Sequence, residues 1–314
     1  MADAVLQIGH AGPHASWQDA GRPGRMRFGV PASGPMDRIA YAAANRALGN
    51  PDGQPAIEIS LGGLRLVCLS GEIGIAVAGG GFVVETGEIV TGSWSVLNLA
   101  AGETLSIRPG PWGCWTYLGF AGRPDVAHWL GSAATHALSG LGGGALQPGQ
   151  TLTIADAAPG PAAARRIPCP VWARPQDELH VVIGPQDRFF PPEAIEALSA
   201  QAFALTDAYD RMGVRLSGPL LTPLNSLSIP SEPVLRGSVQ VSGDGVATVL
   251  LADHQTTGGY PKIATIIDAD LDGFVQLRPH DPVAFRKVTA DRALQIARQR
   301  AQIHQDWLNG LGRG

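Results

Sequence analysis

Val249-Leu250-Leu251-Ala252-Asp253-His254-Gln255-Thr256-Thr257-Gly258-Gly259-Tyr260-Pro261-Lys262-Ile263-Ala264-Thr265-Ile266-Ile267 consists of two apolar runs around a polar, glycine-bearing bend. Short apolar runs bounded by turn residues predict strand, loop, strand. The bend carries an acid, an imidazole, an amide, two hydroxyls, a phenol and an amine within ten residues. Gly258 and Gly259 are expected to allow positive φ and close backbone approach, and Pro261 to fix where the chain leaves the turn. A plain hairpin needs only the glycines. The loop is therefore either a decorated β-turn or a site held on rigid strands, where binding and catalytic residues concentrate.

The surrounding composition agrees with a β-rich chain. Across 314 residues there are 41 glycines and 25 prolines, with few long helical patterns, which predicts many short strands joined by turns. The length suits two domains with ample core. A net charge of −4 with 16% charged residues leaves no basic face for nucleic acid or an anionic membrane. Cys68, Cys114 and Cys169 are odd in number and lack a C-x-x-C spacing, so neither a disulfide framework nor a zinc site is indicated. No basic region followed by an apolar core opens the chain, and no apolar run reaches the roughly 18 residues of a spanning helix. A soluble, cytoplasmic protein is expected.

Strands are predicted at 4–8, 56–60, 64–69, 73–78, 82–85, 96–99, 104–108, 179–183 and 214–217, with a short helix around Pro192–Leu198. Ser33 is the expected N-cap of a helix that buries Met36, Ile39, Ala40, Ala43 and Ala47, with Pro35 and Asp37 in its first turn. The backbone N–H groups at that terminus suit either an ordinary cap or a bound anion. Three turn-plus-strand cassettes echo one another at Leu99–Ile107, Leu146–Ile154 and Leu277–Phe285, the second and third each placed to close a domain. The domains are expected at 1–155 and 176–289, joined by a proline- and alanine-rich linker over 156–175. A C-terminal helix and tail fill 290–314, with Thr289 as cap and Leu294, Ala297, Ala301 and Leu308 as its apolar stripe.

The eight histidines show no metal-ligand spacing, so no metal is expected. No G-x-S-x-G elbow and no Walker or Rossmann glycine pattern is present, so the chain lacks the means to run ATP chemistry alone. What it offers is a set of polar turns at strand ends: Gln18–Arg22, Asp187, Asp210–Arg211 and Asp253–Lys262. Such turns are expected to converge on one cleft. Gln255, Thr256 and Thr257 can orient a carboxylate or lactam, with Tyr260 and Lys262 at the cleft edge and Lys262 offsetting charge on oxygen. Arg22 and Arg211 can serve the same end, and Asp253 or Asp187 can accept a proton if burial raises its pKa. Against this stand plainer readings, in which Asp19 and Arg22 pair on the surface, Asp253 caps a turn and Lys262 is a solvated strand residue.

Asp253–Ala264 resembles the signature of the family of biotin-dependent carboxyltransferases and 5-oxoprolinase C components, also described as allophanate hydrolase subunit 2-like or KipA/PxpC-like. Further matching segments are Gln18–Gly24, Gly29–Asp37, Ala44–Arg46 with Gly49-Asn50, Ile57-Glu58, Gly184–Asp187, Asp210–Gly213 and Arg236–Val241. Together they span roughly residues 16–289. The resemblance implies a mainly β fold, a cyclophilin-like β-barrel in two lobes with a C-terminal helix. It implies the C component of an ATP-dependent 5-oxoprolinase, which opens the lactam of 5-oxo-L-proline to glutamate together with a KipI-like B component and a LamB/YcsF-like A component. ATP would be used by that complex, not bound by this chain alone. The alternatives it implies are transfer of carboxylate from carboxybiotin to urea or a similar amide, and non-enzymatic binding of a sister kinase inhibitor. Two departures stand out: Ala121-Gly122 is followed by Arg123, and Ser132-Ala133-Ala134-Thr135 replaces a Ser-Arg-Ser-Thr pattern, removing an arginine from any anion contact there.

Overall fold

A computed structural model describes residues 2–184, 186–224 and 229–311. Met1, Pro185 of the Gly184–Asp187 turn, residues 225–228 and the tail 312–314 lie outside the described residues. The chain is mostly β. It forms two compact units, neither of them one continuous stretch: Met1–Arg22, Ser33–Arg174 and His304–Gly314 make the first, Pro23–Ala32 and Pro175–Ile303 the second. Among the described residues no helix is long and apolar enough to cross a membrane.

The first unit is built from a seven-stranded and a six-stranded sheet. Strands of the seven-stranded sheet alternate as a half-buried sheet should, Leu64, Leu66 and Cys68 inward and Arg65 outward. Leu6, Leu66 and Leu105 from one sheet and Ile57, Ile75 and Leu118 from the other share a single core. The six-stranded sheet also carries the helix Arg38–Ala47, whose Ala40, Ala43, Ala44 and Ala47 pack with Ala76, Ala78 and Tyr117. Small side chains on both partners let helix and sheet approach closely. The helix is capped by Asp37, which accepts a 2.8 Å bond from Ala40 N–H, and not by Ser33, which sits four residues upstream at φ 52°. Asp37 prevails because a cap needs extended backbone with its oxygen aimed at the first turn. Glu58 accepts from Met36 N–H at 2.8 Å, so the chain's own carboxylates occupy this helix start and the anion-site reading is set aside.

The second unit holds a closed seven-stranded barrel. Its strands run Glu178–Ile183, Lys262–Ile266, Ser238–Val241, Ala247–Leu250, Gly213–Ser217, Phe203–Tyr209 and Pro282–Lys287, and the last pairs in parallel with the first. Leu179, Val181, Leu205, Val214, Val239, Val249 and Phe285 are buried. The cassette strand Pro282–Lys287 closes this barrel, and its counterpart Thr151–Ala155 pairs with Ala4–Ala11 in the first unit. The helix Ala290–Leu311 is started by Thr289, whose hydroxyl accepts from Arg292 N–H.

The quoted stretch does form strand, loop, strand, but not a hairpin. Ala247–Leu250 and Lys262–Ile266 never pair with each other; Ser238–Val241 lies between them and pairs with both. Residues 251–261 therefore cross over one end of a strand. The pairing of Ser238–Val241 with Lys262–Ile266 also contains a bulge: Val239 faces Ala264, yet Gln240 faces Lys262. A bulge re-aims the side chains that follow it. Lys262 consequently shares a face with Gln240.

Candidate functional site

The polar turns fall into two groups, one in each unit. In the first unit, Gln18, Asp19 and Arg22 are buried, so the reading of Asp19 and Arg22 as a surface pair is corrected. Asp19 accepts from Gly21 N–H, Ser132 Oγ, Ala133 N–H and Ala134 N–H at 2.6–3.2 Å. Arg22 donates to the carbonyls of Ala134 and Trp129 and lies over the Trp129 ring, 5.1 Å from its centre. The Gln18 amide donates to Ser16 Oγ and to the Thr135 carbonyl. These three side chains fix the backbone of the 129–135 loop, including the Ser132–Thr135 segment that departs from the expected pattern.

In the second unit, Arg211 and Asp253 are 1% and 0% exposed and form a two-bonded pair: Nε to Oδ2 at 2.9 Å and Nη2 to Oδ1 at 3.0 Å. Asp253 N–H also donates to the Arg211 carbonyl at 2.8 Å, so the two turns are tied by main chain and side chain alike. Both carboxylate oxygens of Asp253 are thus committed to a guanidinium. Asp210 makes a local turn, accepting from Met212 and Gly213 N–H. Asp187 is exposed at the start of a single 3₁₀ turn. His254 is buried, its Nδ1 lying 2.6 Å from the Gln255 carbonyl. Burial, with Arg236 adding to it, holds the imidazole below its ordinary pKa, partly opposed by the Gln255 carbonyl and Asp253.

Neither Gly258 nor Gly259 takes a positive φ, which corrects the expectation from the sequence. Their requirement is space. A Cβ on Gly258 would meet Gln240 Nε2 at 2.4 Å and Val234 at 3.2 Å, and one on Gly259 would meet the Ile229 carbonyl at 3.2 Å. Thr257-Gly258 is a two-residue strand pairing with Glu232-Pro233. Thr256 gives its carbonyl to Val234 N–H, and Thr257 is exposed. Of the loop, Gln255 and Tyr260 face a cavity of about 390 Å³.

Lys262 is not the solvated strand residue of the plainer reading. Its side chain is 10% exposed, and Nζ lies 3.7 Å from Glu232 Oε2 without a hydrogen bond among the described residues. Gln186 organises this end: its carbonyl oxygen accepts from Lys262 N–H at 2.7 Å and its amide donates to Glu232 at 2.6 Å. Across the bulged pair, Gln240 accepts from Gln255 at 3.1 Å, while its own Nε2 finds no partner among the described residues. A buried ammonium and a buried amide N–H with unused donor capacity are an incomplete arrangement in a protein interior. Such donors can be satisfied by a water or by an oxygen that carries negative charge, a carboxylate or an amide carbonyl. No group of three or more His, Cys, Asp or Glu suited to a metal occurs among the described residues.

Gln186, Glu232 and Gln240 were not singled out in the sequence. Gln186 and Gln240 each fall inside a segment that carries the family resemblance, beside residues with more obvious chemistry. Glu232 carries no sequence signal; only the short pairing of 232–233 with 257–258 brings it to Lys262.

The family pattern described as carboxyltransferase domain, subdomain A and B, matches residues 28–287. The chain is 32% identical over 308 residues to the C component of 5-oxoprolinase from Escherichia coli K12, covering 97% of each protein. It is 31% identical over 308 residues to urea amidolyase of Saccharomyces cerevisiae, covering 90% of this chain but 16% of that one. The structure superposes on Kluyveromyces lactis urea carboxylase with a TM-score of 0.86 at 27% identity, over 96% of this chain and 29% of the other. This chain therefore corresponds to one part of each of these two longer proteins.

Proposed function

The chain belongs to the carboxyltransferase subdomain A and B family, and on that premise we propose that it is the C component of an ATP-dependent 5-oxoprolinase. In that role it works with the A and B components to open the lactam of 5-oxo-L-proline to glutamate. The observation that carries this reading is the end-to-end match, 97% of both chains, with a relative named as that component. In the reaction water adds across the ring amide, the carbonyl carbon becomes a carboxylate and the nitrogen leaves as an amine, while ATP is hydrolysed. No residue of this chain is assigned to ATP.

The chain's own contribution is to receive the substrate's oxygens. Lys262 Nζ and the Gln240 and Gln255 amides hold a carbonyl or carboxylate oxygen, and the pair Arg211–Asp253 keeps the 251–261 loop in place over the strand Ser238–Val241. Electrostatic stabilisation of this kind typically supplies about 10²–10³-fold in rate per donor. The test is reconstitution: mix the chain with the A and B components and measure glutamate and ADP formed from 5-oxo-L-proline. Unchanged turnover when this chain is left out would refute the reading.

The second reading is carboxyltransfer, favoured by the close superposition on urea carboxylase. It predicts that the chain accelerates loss of carboxylate from a biotin-carboxylated carrier when urea is supplied. A non-enzymatic binder would bind the KipI-like component tightly and show turnover in neither assay.

A further inference from the structure

Four side chains line up across the second unit's barrel, Arg215 opposite Thr248, Thr248 opposite Gln240, and Gln240 opposite Lys262. Facing residues of an antiparallel ladder share one face. The row is therefore continuous, and the 390 Å³ cavity lies along its first three members. Its two ends differ in chemistry. At one end Arg215 presents a half-exposed guanidinium, of which Nη2 is bound to Asp244 at 3.0 Å. At the other, the side chains of Gln240 and Gln255 line it, joined by the bond from Gln255 Nε2 to Gln240 Oε1 at 3.1 Å. Leu250 and Tyr260 add apolar surface to its lining. Pockets that bind small molecules have this make-up, apolar surface with a few convergent polar groups.

We propose that this cavity binds a compact ligand carrying both a carboxylate and an amide, and that Arg215 selects the carboxylate. A planar guanidinium matches a carboxylate through paired N–H donors. The amide end is served by Gln240 and Gln255, which can donate to a carbonyl and accept from an amide N–H. Urea offers only the second group, so it gains nothing from Arg215. The inference rests on the oxoprolinase reading and adds to it the residue that sets the substrate class.

In the assembled three-component enzyme, Arg215→Ala raises KM for 5-oxo-L-proline about tenfold and leaves kcat within about twofold, the lower end expected for a half-exposed charged hydrogen bond. Asp244→Asn removes the competing carboxylate, so its KM does not rise. A purely structural bridge would make the two variants behave alike, and that result would overturn the proposal. Direct binding separates this idea from the reaction itself. The full chain is titrated with 5-oxo-L-proline and with urea by ligand-observed NMR. If the complex does not turn over 5-oxo-L-proline but the chain binds it and Arg215→Ala does not, the oxoprolinase reading fails and the pocket stands. Equal binding by both forms, or none by the wild type, removes the pocket.

Discussion

Breaking the Arg211–Asp253 pair should unfold the barrel's loop end long before it reveals any chemistry. The two groups are 1% and 0% exposed and joined by bonds of 2.9 and 3.0 Å. Removing one member of a buried pair strands the other's charge and costs about 3–5 kcal/mol, a large share of the roughly 5–15 kcal/mol that keeps a domain folded. Asp253→Asn, which keeps the shape and one acceptor oxygen, should sit near the bottom of that range. Arg211→Met, which leaves a buried carboxylate, should sit near the top. The double variant Arg211→Met/Asp253→Leu should recover part of the loss, because no lone charge remains. The assay has to follow the correct unit. All seven tryptophans lie in the first unit, so their fluorescence serves only as an internal control. Amide hydrogen exchange of the strands at 238–241, 247–250 and 262–266 reports on the barrel. If Asp253→Asn leaves those opening free energies within about 1 kcal/mol of wild type while turnover of the complex collapses, Asp253 is a chemical residue and the reasoning is wrong.

Lys262→Met should leave barrel exchange unchanged or slightly slower, since a poorly paired buried charge gives way to an apolar chain of similar length, and turnover of the complex should fall about 10²-fold; full activity would take Lys262 out of the site. Asp19→Ala should cost the first unit about 2–4 kcal/mol in urea unfolding followed by tryptophan fluorescence, because the buried Ala133 N–H and Ser132 hydroxyl lose their acceptor. His254 sets a pH dependence whose sign follows from burial: its folded pKa lies below the ordinary 6.5, so the unfolded chain binds the extra proton first. Stability should be full above about pH 7 and decline as pH falls through 6.5 toward the lower folded value. Replacing His254 with Gln should flatten that part of the hydrogen-exchange profile, and an unchanged slope would assign it to other groups.

The strands were legible because burial on one face leaves an alternating pattern, as in Leu64–Ser70, and because glycine and proline mark their ends. The C-terminal helix, its Thr289 start and the polar loop between two barrel strands were legible for similar local reasons. The sequence alone also identified which loop carries the densest chemistry and which family it resembles. It could not show what those side chains face. Gln18, Asp19, Arg22 and the Arg211–Asp253 pair read as site residues because charge in a turn suggests function, yet long-range packing spends them on backbone and on each other. Gly258 needed space, not a positive φ, because a glutamine from another strand lies against it. Lys262 acquired its neighbours through a bulge that sets it opposite Gln240, and Glu232 and Gln186 reached it from 30 and 76 positions away in the chain. Local patterns fix which residues form strands. Which residues share a face is fixed only when the register closes, and the register is a property of the whole barrel.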